Sequence, residues 1–410
     1  MRPRVAVLHH PRSFFPLDLF QQVADTAELQ WVVDSSTSDG SDLRLLSRLG
    51  TVVDIARLDH DAAAGALAAH QPEGIVTYVD DLVETAAALA ERLGLRYHTP
   101  EVARVLVDKR LQRECLARAG LPGPAFWPVA AGLSRDAIAD LADEVIYPVV
   151  LKPAEGSGSR DIQHVESADE LRSVLEAETG QVGYLLEEYL VDGSGHESWT
   201  ASYFSAESVV SAGRVSHVAL TGRFPLAEPF RETGNFIPAL LSPSTQSEAI
   251  ELVNSAIKAL GILDAVIHTE IKITPDGLRV IEVNGRLGGR PPFVLASVSN
   301  VNLFQVSCHI AAGLPVAFDD LVECDGVGFW LMLQPPMAAE RVAAVGGLNG
   351  IAALDYVDIV NTNRSPGDCV SWKDGTESHV VSVRGWVGDH ETLADVITRI
   401  HREVTIEYLP

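Results

Sequence analysis

The first hundred residues alternate strand-like and helix-like patterns, and this alternation narrows the possible folds more than any other feature. Val5–His9, Gln30–Asp34, Val52–Ala56 and Gly74–Tyr78 are short β-rich runs, while Pro16–Ala27, Asp61–His70 and Leu82–Leu93 have helical spacing. Strands separated by helices pair in parallel, with helices on both faces of the sheet. Ligands of such sheets sit at the carboxyl ends of the strands, here near His9–Ser13 and Asp80–Asp81.

Further along, a helix opens at Asp108-Lys109-Arg110 and ends at Gly120, where Pro122 and Pro124 prevent its continuation. A helix near Ser134–Asp143, the strand Tyr147–Lys152, a Gly/Ser loop, the helix Ala168–Glu178 and the strand Leu185–Leu190 follow. Antiparallel strands are expected from Ser198 to Val218, then a helix over Glu248–Leu260. A hairpin joins Ala265–Ile273 to Leu278–Val283 across Thr274-Pro275-Asp276-Gly277. Beyond Asp325 the pattern is that of a smaller α/β unit with strands at Gly367–Ser371 and His379–Val387. The class is α/β, with α+β character in the central part, and 410 residues suggest roughly two to four structural units.

A formal charge of −25 argues against nucleic acid or an anionic membrane as partner. Any polyanion must be held by a locally organised positive site. Cys115, Cys308, Cys324 and Cys369 are far apart, with no zinc or redox spacing, and are expected as buried small hydrophobes in a reducing compartment. The early apolar run is too short for a signal peptide, and no stretch of about 20 apolar residues suggests a membrane span, so a cytoplasmic location is expected.

Lysine occurs only at 109, 152, 258, 272 and 373. Lys152 ends the buried-looking strand Val149-Val150-Leu151-Lys152 and is followed by Pro153 and Ala154-Glu155-Gly156-Ser157-Gly158-Ser159. A buried ammonium needs a counter-charge; a phosphate would supply it, and the loop would offer backbone N–H groups to phosphate oxygens. The plain alternative is a lysine snorkelling out of a strand end. Rival phosphate motifs are excluded: there is no Gly-Lys dipeptide, Asp161 stands where a dinucleotide fingerprint needs its third glycine, and a kinase loop would precede the lysine.

The second constellation is acidic. Alternation puts His268, Glu270 and Lys272 on one face of their strand, and Glu282 and Asn284 on one face of the partner. If the register brings these faces together, two carboxylates and an amide oxygen converge, an all-oxygen set that suits Mg²⁺. The two carboxylates would repel unless something positive lay between them. Arg286, just past Asn284, could grip a transferred phosphate or a substrate carboxylate, or bridge to Glu155 or Asp161.

These pieces, six motifs in order over roughly residues 75–315, resemble the ATP-grasp superfamily. They are Asp108-Lys109, Val150-Leu151-Lys152-Pro153-Ala154 with its loop, Leu186-Glu187-Glu188-Tyr189-Leu190, Gly195-His196-Glu197, His268-Thr269-Glu270 and Ile281-Glu282-Val283-Asn284-Gly285-Arg286. The resemblance implies a Rossmann-like N-terminal domain over 1–105 and a small mobile lid subdomain over 106–195. A β-rich catalytic subdomain over 196–325 and a small C-terminal α/β subdomain over 326–410 would follow. It implies ATP and two Mg²⁺, for which Mn²⁺ could substitute. Lys109 and Lys152 would hold the α- and β-phosphates, under a loop containing Gly156, Ser157 and Gly158. Glu187, Glu188, Tyr189 and Leu190 would form the adenine hinge, with backbone groups of Glu188 and Leu190 reading the base. Glu197 would accept from the ribose, and Glu270, Glu282 and Asn284 would hold the metals, with Glu282 bridging. Arg286 would steady the transferred phosphoryl group.

Within the superfamily the chain is similar to L-amino-acid ligases that make dipeptides, of the bacilysin-synthetase and carnosine-synthase type. The supporting residues are Pro229-Phe230-Arg231-Glu232-Thr233-Gly234, His268-Thr269-Glu270-Ile271 and Gly288-Gly289. Two residues depart from the pattern, Asn235 where a histidine often follows and Arg290-Pro291-Pro292 in place of an acidic or apolar continuation. The implied reaction is ADP-forming ligation of a carboxylate to an amine, both small molecules and expected to be amino acids, through an acyl-phosphate. Glu232 would pair with a substrate ammonium; the base stays open among Glu232, Asp81 and His268. The alternatives are another acceptor, such as a carrier-protein thiol, an amino sugar or a purine-type amine, or a non-enzymatic nucleotide-binding regulator. Dimers are common in the resembling families, so a homodimer is expected.

Overall fold

The computed structural model describes residues 2–37, 40–177 and 183–409. It opens with four parallel strands, β1 (Arg4–His9), β2 (Glu28–Val33), β3 (Thr51–Asp54) and β4 (Gly74–Thr77), in the order β3-β2-β1-β4. Helices α1 (Pro16–Val23), α2 (Gly40–Leu49), α3 (His60–Ala68) and α4 (Val83–Leu93) connect or flank them. The expected alternation is present. Leu8, Val32, Ala63, Leu67 and Leu89 bury one face of this sheet, and Val7, Leu19, Trp31 and Leu46 bury the other. The helix α2 was not anticipated, because its six polar or glycine positions leave a narrow apolar stripe of which only Leu46 is buried.

Two helices follow, α5 (Pro100–Val107) and α6 (Lys109–Arg118), separated by Asp108, whose carboxylate caps α6 by accepting from the N–H groups of Arg110 and Leu111. A second sheet, in the order β5-β8-β6-β7, is built from β5 (Phe126–Val129), β6 (Val149–Pro153), β7 (Gln163–Val165) and β8 (Tyr184–Glu188). Helices α7 (Arg135–Glu144) and α8 (Ala168–Ala177) cover it. Glu178, the expected end of α8, lies outside the described residues.

The third sheet has eight antiparallel strands in the order β13-β12-β9-β10-β11-β14-β17-β16. It takes in β9 (Tyr203–Ser211), β10 (Arg214–Arg223), β11 (Gly234–Ile237), β12 (Ala265–Thr274), β13 (Gly277–Asn284), β14 (Val327–Leu333), β16 (Val357–Thr362) and β17 (Val381–Val387). Strands on both sides of residue 325 therefore belong to one sheet. Helix α9 (Pro243–Ala259) packs on it; Ser242 caps that helix and Pro243 fits its first turn, which lengthens it beyond the expected start. Helices α10 (Pro291–Val298) and α11 (Leu303–Ala311) fill the space toward the first sheet, and their apolar runs are buried there. Among the described residues no single helix is long and apolar enough to cross a membrane.

The remaining strands, β15 (Arg341–Gly346) and β18 (Thr405–Leu409), pair with each other beside α12 (Leu348–Ala352) and α13 (His390–Glu403). No strand runs over Gly367–Ser371. A turn closes between Ser365 and Asp368, leaving one bridge between Arg341 and Cys369. Cys369 is exposed beside that turn, contrary to the expectation for all four cysteines; Cys308 is buried and Cys115 and Cys324 are half-buried.

Candidate active site

The three sheets enclose a cleft of about 1440 Å³, larger than the roughly 300–1,000 Å³ usual for one small ligand. Its floor is the β12–β13 pair. Glu270 stands opposite Glu282 and His268 opposite Asn284, so the anticipated faces do meet. A bulge follows, which turns Ile281 toward the cleft beside Glu282. Past Asn284 the chain turns at Gly285, where a Cβ would press on Leu106 and His98. His98, buried and with its pKa lowered to about 4 by that burial, is neutral and donates from Nε2 to Gly285 O at 2.8 Å. Arg286 is thereby delivered to the cleft.

The two acids are not left to repel each other. Glu282 pairs with Lys109 at 3.1 Å, and Glu270 lies 3.4 Å from His268 Nε2. Burial opposes ionisation of Glu270, but His268 and Arg223 overcome it and hold the carboxyl at about 2. His268 in turn rests on the fully buried Glu207, 2.9 Å from Nδ1. Burial works against its charge, yet Glu207 and Glu270 push its pKa up to about 9. The ring therefore carries both protons at neutral pH, and Arg223 Nη2, 3.1 Å from Nε2, is a second cation held by the same acids rather than a hydrogen-bond donor to the ring. An imidazolium so placed is a poor base.

The lysines have protein partners in the structure. Lys152 is buried as anticipated, but its counter-charge is protein: Glu187 Oε2 lies 2.7 Å away. Arg113, one turn after Lys109 on α6, grips the other oxygen of Glu187. Burial opposes the charge on Glu187, but Arg113 and Lys152 together hold its pKa to about 2. Burial also lowers the pKa of Lys152, helped by the neighbouring Arg113 and Lys109. For Lys109, burial is outweighed by Glu282, Asp80 and Glu187, and its pKa is raised. Lys109 Nζ also donates to Gly156 O at 2.5 Å, tying it to the Gly/Ser loop.

Gly156, Ser157 and Gly158 line the cleft, as do Glu188, Tyr189, Leu190 and Glu232. The side chain of Glu187 serves as a buried counter-ion, and the N–H of Glu188 is already donated to Ala125 O at 2.8 Å. Glu197 is the one predicted residue outside the cleft. Its carbonyl accepts from both the N–H and the hydroxyl of Thr200, and that turn leaves its side chain exposed. The carboxylate at this rim is Asp192, paired with Lys272 and with Ser202 Oγ. Arg286 bridges to neither Glu155 nor Asp161; it pairs with Asp80 at the end of β4, with Nε 3.1 Å from Oδ2. Glu232 pairs with the buried Arg223 at 3.2 Å.

Asp80, Arg113, Glu207 and Arg223 were missed as site residues. Asp80 lay at a flagged strand end, and Arg113 lies four residues after Lys109, on one helix face. Glu207 and Arg223 were visible only as charges inside apolar strands.

Among the described residues no three His, Cys, Asp or Glu side chains form a metal-binding group. Glu270, Glu282 and Asn284 are a smaller oxygen set of the kind Mg²⁺ completes with substrate phosphates and water, so the donors fit that ion.

Residues 145–291 match the family profile of the ATP-grasp domain. The chain carries an ATP-grasp domain. It is 27% identical over 267 residues to carnosine synthase 1 of Homo sapiens, covering 59% of this chain and 31% of that protein. It is also 27% identical over 217 residues to alanine–anticapsin ligase of Bacillus subtilis, covering 49% and 45%. The chain thus spans about a third to a half of these relatives' own length. Among solved structures, the L-amino acid ligase from Bacillus licheniformis superposes with a TM-score of 0.80 at 19% identity, over 100% of this chain and 99% of that one. The carboxyaminoimidazole ribonucleotide synthase from Aspergillus clavatus, solved with ATP, gives 0.74 at 15% identity, over 97% and 99%. The fold of the L-amino acid ligase extends over this whole chain.

Proposed function

We propose that the chain is an ATP-dependent carboxylate–amine ligase that forms a dipeptide-type amide bond and releases ADP and phosphate. The observation that carries this reading is the facing pair Glu270 and Glu282, with Asn284 beside them, opening into the cleft that Lys109, Lys152 and Arg286 enter. Two carboxylates and an amide oxygen suit Mg²⁺ bound to nucleotide phosphates, where the ion would neutralise charge on the transferred group. Lys109 and Lys152 would face the phosphates, each exchanging part of its present carboxylate contact for a phosphate oxygen. Tyr189, Leu190 and the carbonyl of Glu188 would border the base.

A substrate carboxylate oxygen would attack the γ-phosphorus as the bond to ADP breaks. The amine nitrogen of the second substrate would then attack the acyl carbon, and phosphate would leave. Arg286, oriented by Asp80, would follow the charge from phosphoryl oxygens to the tetrahedral oxygen. Glu232, bound to Arg223 through one oxygen, would offer its carboxylate to the incoming ammonium. The relatives named carnosine synthase and alanine–anticapsin ligase support amino acids as both substrates.

The test is a pairwise screen of amino acids and related amines, reading phosphate release and product mass together. Amide products appearing with ADP support the reading. ADP release that requires a thiol, an amino sugar or a purine-type amine instead would replace it with another ATP-grasp ligation, and no turnover with any acceptor would remove it. The homodimer belongs to the same proposal and is read by sedimentation of the purified chain.

A further inference from the structure

The short turn Trp372–Ser378, just ahead of β17, touches both halves of the cleft, and the reaction as described gives it no task. Thr376 N–H donates to Gly158 O of the Gly/Ser loop at 2.9 Å. Beside it Gly375 has φ +64, and its backbone lies so close to the loop that a Cβ would overlap Gly158 O and stand 2.9 Å from Arg160 N. On its other side the buried Thr376 reaches the wall that carries Glu232. Its Oγ1 accepts from Glu232 N–H at 3.3 Å, and Gln334 Nε2 donates to both Glu232 O (2.7 Å) and Thr376 O (2.9 Å). Ser378 Oγ, 2.9 Å from Gln334 Oε1, accepts from the buried Arg231 at 3.2 Å. The loop is thus held from two directions. Lys109, paired with Glu282, holds Gly156 O; Thr376, bonded to the backbone of Glu232, holds Gly158 O.

We propose that Trp372–Ser378 is a positioning element for ligation, which seats the Gly/Ser loop on the second-substrate side and ties that seating to the wall bearing Glu232. The proposal rests on the ligase reading and adds to it a task for the C-terminal residues. An acyl-phosphate open to water is lost unproductively. The water oxygen bonds to the acyl carbon, the bond from that carbon to the phosphate oxygen breaks, and the original carboxylate, phosphate and a proton leave. ATP is consumed without an amide. A seated loop keeps that water out.

Gly375→Ala forces the turn off the loop. Thr376→Val keeps the N–H to Gly158 but breaks the side-chain bond to Glu232, and Thr376→Ser retains both. The first readout is ADP formed per amide bond. Wild type should stay near one, and Gly375→Ala and Thr376→Val should raise the ratio about fivefold, the population change expected from one lost hydrogen bond. Thr376→Ser should restore it, and KM for ATP should change by less than about twofold in all three. A ratio unchanged in both disruptive variants, or a change confined to KM for ATP, overturns the proposal. The second readout needs no turnover: hydrogen exchange of the Thr376 amide should be slow in wild type and fast in Gly375→Ala, with the amides of Val381–Val387 unaltered. Equal exchange in the two proteins also overturns it. Absence of amide product in wild type with every pair would instead remove the ligase reading, while the exchange result would still decide whether the turn seats the loop.

Discussion

Glu282 is held by Lys109, so replacing it with glutamine removes a proposed metal ligand and a counter-ion together. Glu282→Gln should abolish turnover at any Mg²⁺ concentration. Its melting temperature should fall slightly rather than rise, because the buried Lys109 loses its partner; about 1–2 kcal/mol is expected for a pair with one side part-exposed. Calorimetry beside an ADP assay checks both, and wild-type activity would remove Glu282 from the metal site. Lys152→Ala should weaken nucleotide binding and also destabilise the fold by about 1–3 kcal/mol, since Glu187 keeps only Arg113. In a double-mutant cycle with Glu187→Ala the two losses should couple, whereas simple additivity would show the pair to be incidental. Arg286→Lys keeps charge but loses the fixed fork, and single-turnover product formation should drop about 10²–10³-fold with ATP affinity nearly unchanged. A loss confined to ATP affinity would move Arg286 to nucleotide binding. The charged types at Lys152, Glu270, Glu282 and Arg286 were legible because each interrupts an apolar strand or ends one. Their pairings were not: Asp80 reaches Arg286, Glu187 reaches Lys152 and Lys109 reaches Glu282 from more than 30 residues away, and spacing along a chain carries no record of such distances.

At the scale of elements, the outer edge of β13 shows how α6 is fixed. Gln112 Nε2 donates to Val283 O at 2.9 Å and its Oε1 accepts from Val283 N–H at 2.8 Å, so one side-chain amide stands in for a neighbouring strand. Arg113 adds hydrogen bonds to Val280 O and Ile281 O. The helix that presents Lys109 is thereby locked in register with the strand that presents Glu282. Gln112→Leu should leave a buried N–H and C=O without partners and cost about 2–4 kcal/mol in urea unfolding. It should also lower turnover, since Lys109 and Glu282 would no longer keep their relative height. Unchanged stability would mean that water replaces the amide. Periodicity predicted the β12–β13 hairpin and the start of α6 to within a residue or two, because alternation and the Asp108 cap are local. It could not foresee that β14, β16 and β17 join the same sheet as β9–β13, since strand order is decided by packing across the core. The exposure of Glu197 was not legible for a similar reason: a turn of three residues decides which way a side chain faces.

For the whole molecule, acid stability should depend on the buried ion pairs beneath the cleft. The carboxyl of Glu187 titrates near 2 rather than its ordinary 4.5, so its contribution is complete above about pH 4.5 and is lost as pH falls toward 2. A shift of this size corresponds to about 3 kcal/mol. Melting curves of wild type and Glu187→Gln should differ most at neutral pH and converge below pH 4; parallel curves down to pH 2 would show that Glu187 is not the group responsible. The eight-stranded sheet has a further consequence, one of inheritance. The stretch 145–291 is what this chain shares with its family profile, yet excising it would strip β5 from β8, α6 from β13 and β14 from β11, baring three strand edges at once. The shared stretch is therefore not a movable cassette. In this chain a helix from before it shields one border and a strand from after it extends the other, so the flanks are the structural condition for keeping the matched middle.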